Sequence, residues 1–275
     1  MLQLFMMSVP KDEPKYTLGA SIIGDNPGVG MQPPQADAKL DSSMLFLKYD
    51  SPTSEQPTDK LGEGLKNADW ARRYELYLEK NYKNKTKNVQ KDCGSIDPTS
   101  QACEFDYKTV LGDCAMHPYG YLGAAVEPCV LLKINRIYGW EPQEYSADDL
   151  TKAQELDPDY PEDQMPAEIA AKLSAGPKKV YIDCQGENNF DIEGLGGKMR
   201  YFPADQGISY DYFPYKQTNN ADYQSPMVAV KFQGLKRGVL YHVQCKLWAK
   251  GVRHSKKDRA GLVHFEIFLD DKIRE

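Results

Sequence analysis

Six cysteines, at positions 93, 103, 114, 129, 184 and 245, constrain this chain more than any other feature. None belongs to a CxxC pair, and no histidine stands at zinc-site spacing from one of them. An even number of widely spaced cysteines reads as disulfides, which places the chain in an oxidising compartment. Spacing alone leaves the connectivity open, since six half-cystines can pair in fifteen ways.

Two of the cysteines sit in segments with the alternation of half-buried antiparallel strands. In Val239–Gly251, Val239, Tyr241, Val243, Cys245 and Leu247 share one face, while His242, Gln244 and Lys246 share the other. Solvent exposure is the expectation for His242 and for His264, which lies on the polar side of the next strand, Leu262–Leu269. Val180–Cys184, Met199–Phe202 and Met227–Phe232 read as further strands, and Cys129–Trp140 as an apolar run closed by a glycine turn. A bridge between Cys184 and Cys245 would close a loop of about 60 residues and contribute roughly 4 kcal/mol by restricting the unfolded chain.

Short strands separated by turn signals predict an antiparallel β-sandwich. Two segments depart from it. Trp70, Tyr74, Tyr77 and Leu78 fall on one face of a helix that Asn67 can cap. The acidic stretch 157–163 and the segment 166–173 read as an insertion carrying a short helix. Residues 11–60 are rich in proline, glycine and charge, with one strand expected in Met44–Asp50, and read as an extended arm lying on a larger body.

A net charge of −6 excludes a nucleic-acid surface, which needs basic clustering. Lys256, Lys257 and Arg259 are too small a cluster to change that and read as a solvated turn. Catalytic motifs of the GxSxG, HExxH and GxxxxGK[ST] kinds are absent from the sequence. Gly194–Lys198 reads as a turn before a strand, and Glu187, Asp191 and Glu193, which have the chemistry to bind a cation, read rather as a solvated loop. No enzyme activity, cofactor or metal site is expected.

One loop stands out. Ser209–Tyr215 holds three tyrosines besides Phe213 and Pro214, ahead of the polar run Thr218–Asn220. Such rings either fill a core or form an interface, and buried tyrosine hydroxyls need partners.

These segments together resemble one family. Pro128–Gly139 carries a PCxxxKxNRxxG pattern. Cys103–Cys114, the segment VYIDCQGE from Val180, the YFPY run at 212–215, Met227–Phe232 and Cys245–Arg259 follow in the family's order. The chain resembles the β subunit of Na⁺/K⁺-transporting P-type ATPases, in an invertebrate-like form. That resemblance implies an immunoglobulin-like extracellular domain without a catalytic centre, on a type II plasma-membrane glycoprotein. The implied partners are the catalytic α subunit and a small single-span regulatory subunit. The implied role is assembly, maturation and delivery of the α subunit and modulation of cation transport, with cell adhesion or junction assembly as the alternative.

The resemblance also assigns residues. It pairs Cys93 with Cys103, Cys114 with Cys129 and Cys184 with Cys245, and makes Tyr212, Phe213, Pro214 and Tyr215 the dock for the α subunit. Asn84, in the single Asn-Lys-Thr sequon, is the expected glycan acceptor. The implied organisation is the outer end of a truncated transmembrane helix over 1–9, a juxtamembrane arm over 10–60 and the extracellular domain over 61–275. Membrane attachment would run through the part of the helix that this chain lacks.

Overall fold

The computed structural model describes residues 14–33, 44–47, 67–83, 89–91, 93, 102–123, 125–158, 163–176, 178–216, 222–258 and 260–271. Residues 1–9, most of the 10–60 arm and Asn84 lie outside that set.

Two sheets face each other across one core. The first has four strands in the order β1 (Val29–Gln32), β5 (Cys129–Ile134), β9 (Met227–Phe232) and β7 (Met199–Phe202), all paired antiparallel. The second has five: β2 (Met44–Leu47), β11 (Leu262–Leu269), β10 (Leu240–Trp248), β6 (Lys179–Gly186) and β8 (Gly207–Ser209). All its pairs are antiparallel except β2 with β11. A small parallel pair, β3 (Val89–Gln90) with β4 (Ala102–Cys103), lies apart. The architecture is the expected β-sandwich.

The alternation in the sequence fixes the core. Tyr241, Val243, Cys245 and Leu247 of β10 and Phe265 and Ile267 of β11 are buried, and they meet Val130, Leu132, Val228 and Val230 in one cluster. Short elements of the 10–60 region join this frame as well as lying on it. β1 and β2 are edge strands, one for each sheet. Asn26 fixes the approach to β1 by exchanging two hydrogen bonds with the Arg253 backbone, at 2.8 and 3.0 Å.

The disulfides staple three different places. Cys184 and Cys245 are direct cross-strand partners on β6 and β10, with Cα atoms 4.0 Å apart. Cys114 joins the turn Gly112–Ala115 to Cys129 at the start of β5, and Cys93 joins Cys103 on β4.

Helix α1 (Asn67–Leu78) buries Trp70, Tyr74 and Leu78 of the expected face, together with Ala71, whereas Tyr77 is half-buried, and the chain continues as a wider turn through Glu79–Lys83. Asn67 is its first residue and is itself buried. Tyr74 stacks on Tyr119 with centroids 4.4 Å apart and donates its hydroxyl hydrogen to the Cys114 carbonyl at 2.8 Å. Tyr121 does the same to the Cys129 carbonyl at 2.6 Å. One helix and one disulfide thus share a tyrosine cluster whose hydroxyls are satisfied by backbone.

The insertion holds two helices. Helix α2 (Tyr107–Leu111) precedes it, and α3 (Ala147–Gln154) and α4 (Ala167–Ser174) form it. Ser146 and Asp149 cap α3 reciprocally. Leu150, Ile169, Ala170 and Leu173 pack on Tyr181 and Trp248, on the outer face of the five-stranded sheet. Gln244 and Lys246, on the same face of β10 as Trp248, are buried as well. His254 pins the same region. Its buried ring lies 2.8 Å from Asp163 Oδ1 and 3.0 Å from the Leu247 carbonyl.

Solvent alone does not account for His242 and His264. His242 Nδ1 lies 3.1 Å from Asp191, on the short helix α5 (Asn189–Leu195), and His264 Nδ1 lies 2.6 Å from Glu187. Glu187 and Asp191 therefore hold imidazoles rather than forming a solvated loop. Among the described residues no group of three or more His, Cys, Asp or Glu side chains is arranged to hold a metal ion.

Candidate functional site

The aromatic loop leaves the five-stranded sheet at β8 and enters the four-stranded sheet at β9, so it crosses one end of the sandwich. A single 3-10 turn, Tyr210–Tyr212, starts it, with the Ser209 hydroxyl accepting from the Asp211 N–H. The segment that follows β5 runs beside it. Tyr138 and Tyr215 form a parallel bridge, and the Gly139 N–H donates to the Tyr215 carbonyl at 2.9 Å. Tyr210 donates its hydroxyl hydrogen to the Gln143 carbonyl at 2.8 Å. Gly139 has a φ of 75°, a left-handed conformation that costs glycine little, and this lets the chain turn against the loop.

Each ring has an internal neighbour. Tyr212 meets Phe105 edge-on at 5.6 Å, Phe213 meets Trp140 at 5.3 Å, and Tyr215 meets Tyr223 at 5.1 Å. Pro214 is buried, whereas Tyr212, Phe213 and Tyr215 are half-buried. Each ring therefore packs on a neighbour while part of its area stays exposed. Burial raises the Tyr212 hydroxyl above its ordinary range, reinforced by Asp211, Asp106 and Glu104.

A guanidinium completes the arrangement. Arg136 lies 5.3 Å from the Tyr215 ring centroid and 5.1 Å from that of Tyr223, and its Nε donates to the Ser225 hydroxyl at 2.9 Å. Tyr82, from the end of the α1 segment, donates its hydroxyl hydrogen to the Ser225 carbonyl at 2.6 Å. The sequence pattern flagged Arg136 only as part of the Pro128–Gly139 run. Its place beside two rings far away in the sequence had no local signal.

The half-buried rings and the guanidinium lie together at this end of the sandwich. Comparison with known proteins says which family it serves. Residues 1–265 match the family model described as sodium/potassium ATPase beta chain. The chain belongs to the sodium/potassium ATPase β-chain family. It is 31% identical to sodium/potassium-transporting ATPase subunit beta-2 of Drosophila melanogaster, over 97% of this chain and 78% of the relative. It is also 31% identical to a probable subunit beta-3 of Caenorhabditis briggsae, over 98% of this chain and 74% of that one. Subunit beta-2 of Homo sapiens is more distant, at 26% over 66% of this chain and 52% of the relative.

As a β chain the molecule has a disulfide-bonded sandwich with the aromatic loop at one end. Among the described residues no helix is long and apolar enough to cross a membrane.

Proposed function

We propose that this chain is a non-catalytic β subunit of a Na⁺/K⁺-transporting P-type ATPase. It assembles with the catalytic α subunit, supports that subunit's maturation and delivery to the plasma membrane, and modulates its cation transport. Residues 61–275 stand on the extracellular side in a type II orientation, with 10–60 next to the membrane and 1–9 at its outer boundary. The observation that carries this reading is the family match across nearly the whole chain, 1–265. Three disulfides support the extracellular placement.

The α subunit docks on the loop Tyr212, Phe213, Pro214 and Tyr215. Aromatic side chains offer a large apolar area with few rotatable bonds, and here the rings are held from behind by Phe105, Trp140 and Tyr223, so little ordering remains to be done on binding. Expression of an α subunit with and without the full-length protein tests the role. Surface-labelled α should rise when the chain is present. Equal surface α in both cases would favour the adhesion role instead.

A further inference from the structure

The segment before β1 carries an apolar tip that the fold leaves outside its core. The Ser21 N–H donates to the Leu18 carbonyl at 2.8 Å and the Gly24 N–H to the Ser21 carbonyl at 3.0 Å, which folds residues 18–24 into two successive turns. The Ser21 hydroxyl also accepts from the Ile23 N–H at 3.2 Å, and Gly24 closes the second turn with a φ of 76°. Its two central residues are therefore Ile22 and Ile23, at positions where glycine, proline, asparagine and aspartate prevail. Ile22 is fully exposed, Ile23 is 74% exposed and Tyr16 is 62% exposed. Just beyond the tip, Asn26 ties the chain to the Arg253 backbone.

Topology sets where this tip lies. Val29, the first residue of β1, pairs with Ile134 at the end of β5. β5 leads on to Tyr138, which bridges Tyr215. The turn therefore enters the sandwich at the end that bears the aromatic loop. If that loop docks on a membrane-spanning α subunit, this end faces the bilayer. The chain comes to it from the apolar run Leu-Gln-Leu-Phe-Met-Met-Ser-Val over residues 2–9, and Ile22 follows Val9 by 13 residues. The exposed pair Phe190 and Ile192 lies elsewhere, on α5 beyond Gly186, at the opposite end of β6.

A convex tip of two aliphatic side chains suits a bilayer, which yields around it. A protein partner would need a matching hollow, and protein interfaces draw their energy mainly from tyrosine, tryptophan and arginine. Tyr16 supplies an amphipathic ring of the kind that settles at headgroup level, and the Lys15 ammonium lies 5.6 Å from its centroid. Lys15 and the exposed Asp25 put one charge of each sign on the flanks, so burial of apolar area, rather than attraction to anionic lipid, supplies the binding. We infer that the turn Ser21–Gly24 dips Ile22 and Ile23 into the outer leaflet of the bilayer, with Tyr16 among the lipid headgroups. This rests on the membrane-side placement of 10–60 proposed above and names what that segment touches.

The test is photo-crosslinking in membranes that hold the full-length protein, the α subunit and tritiated phosphatidylcholine. Ile22→p-benzoylphenylalanine is irradiated beside Phe190→p-benzoylphenylalanine, the reference at the opposite end, and adducts are separated into lipid and polypeptide. Lipid capture should be several-fold greater at position 22 than at position 190. Equal capture at the two positions overturns the proposal. So do adducts of position 22 that are mainly with α, which would assign the turn to the subunit interface. Unreduced peptide mapping confirms that each variant keeps its three disulfides. Should the variant at position 22 lose them, Ile23→p-benzoylphenylalanine replaces it under the same criteria. Retention of the wild-type protein in carbonate-washed membranes is scored separately. Release by that wash would overturn the membrane-side placement itself, whereas retained protein without lipid capture at position 22 overturns the insertion of the turn alone.

Discussion

The ring of Phe213 stands edge-on to the indole of Trp140, their centroids 5.3 Å apart and their planes at 84°. That contact makes Phe213 the inward anchor of a loop whose neighbours Tyr212 and Tyr215 are also half-buried. Phe213→Ala should therefore destabilise the domain by about 1–3 kcal/mol, less than at a fully buried phenylalanine because part of the ring is exposed. Denaturant unfolding of the secreted domain checks it. Unchanged stability would mean that the ring contributes nothing to the sandwich.

The three disulfides should differ in worth. Cys184–Cys245 spans 61 residues and Cys93–Cys103 spans 10. Restriction of the unfolded chain gives roughly 4 kcal/mol for the first and roughly 3 kcal/mol for the second. Replacing both cysteines of a pair by serine should lower stability more at 184 and 245. That pair also faces the core, where serine hydroxyls would be poorly accommodated. The reverse order in unfolding measurements would contradict this.

Asp183→Asn should show a defined pH dependence. Burial raises the Asp183 carboxyl, with Lys172 opposing the shift. A raised carboxylate contributes stability below its unfolded pKa of about 3.9 and loses it as pH rises through the folded value. Asparagine avoids burying the charge and keeps an acceptor for Tyr201 and Gln206. The variant should thus be more stable than wild type at pH 7, with the gain vanishing as pH falls toward 4. A gain independent of pH between 4 and 7 would assign it to some other cause.

Alternation made β10 and β11 legible from sequence and short apolar runs made β2, β5, β6, β7 and β9 so; β7, β9 and β11 have the bounds that their sequences suggest. The helix face Trp70, Tyr74 and Leu78 was legible for the same reason. β1 was not, because Val-Gly-Met-Gln is short, contains glycine and has β5 as its only strand partner among the described residues. The burial of Gln244 and Lys246 was not legible, because polarity in an alternating strand says which residues share a face, not what covers it. Leu150 and Ile169, from helices α3 and α4, pack on Tyr181 and Trp248 of that face. At the candidate site the sequence showed the rings, but their backing by Phe105 and Trp140 and the clamp on Arg136 are tertiary relations between segments far apart in the chain.

Asn84 should carry an N-glycan if the sequon Asn84-Lys85-Thr86 passes through the secretory route. Glycosidase should increase the gel mobility of wild type, and Asn84→Gln should match the treated form. Identical mobility of untreated wild type and variant would show the site to be unused.

Co-purification of the catalytic α subunit with the full-length protein from membranes tests the central claim most directly. The account predicts that wild type recovers α, and that Tyr212→Ala and Tyr215→Ala, each with its disulfides intact, recover several-fold less, because aromatic anchors dominate such interfaces. A folded protein that never brings α with it, or folded Tyr212→Ala and Tyr215→Ala variants that bring as much as wild type, would contradict it.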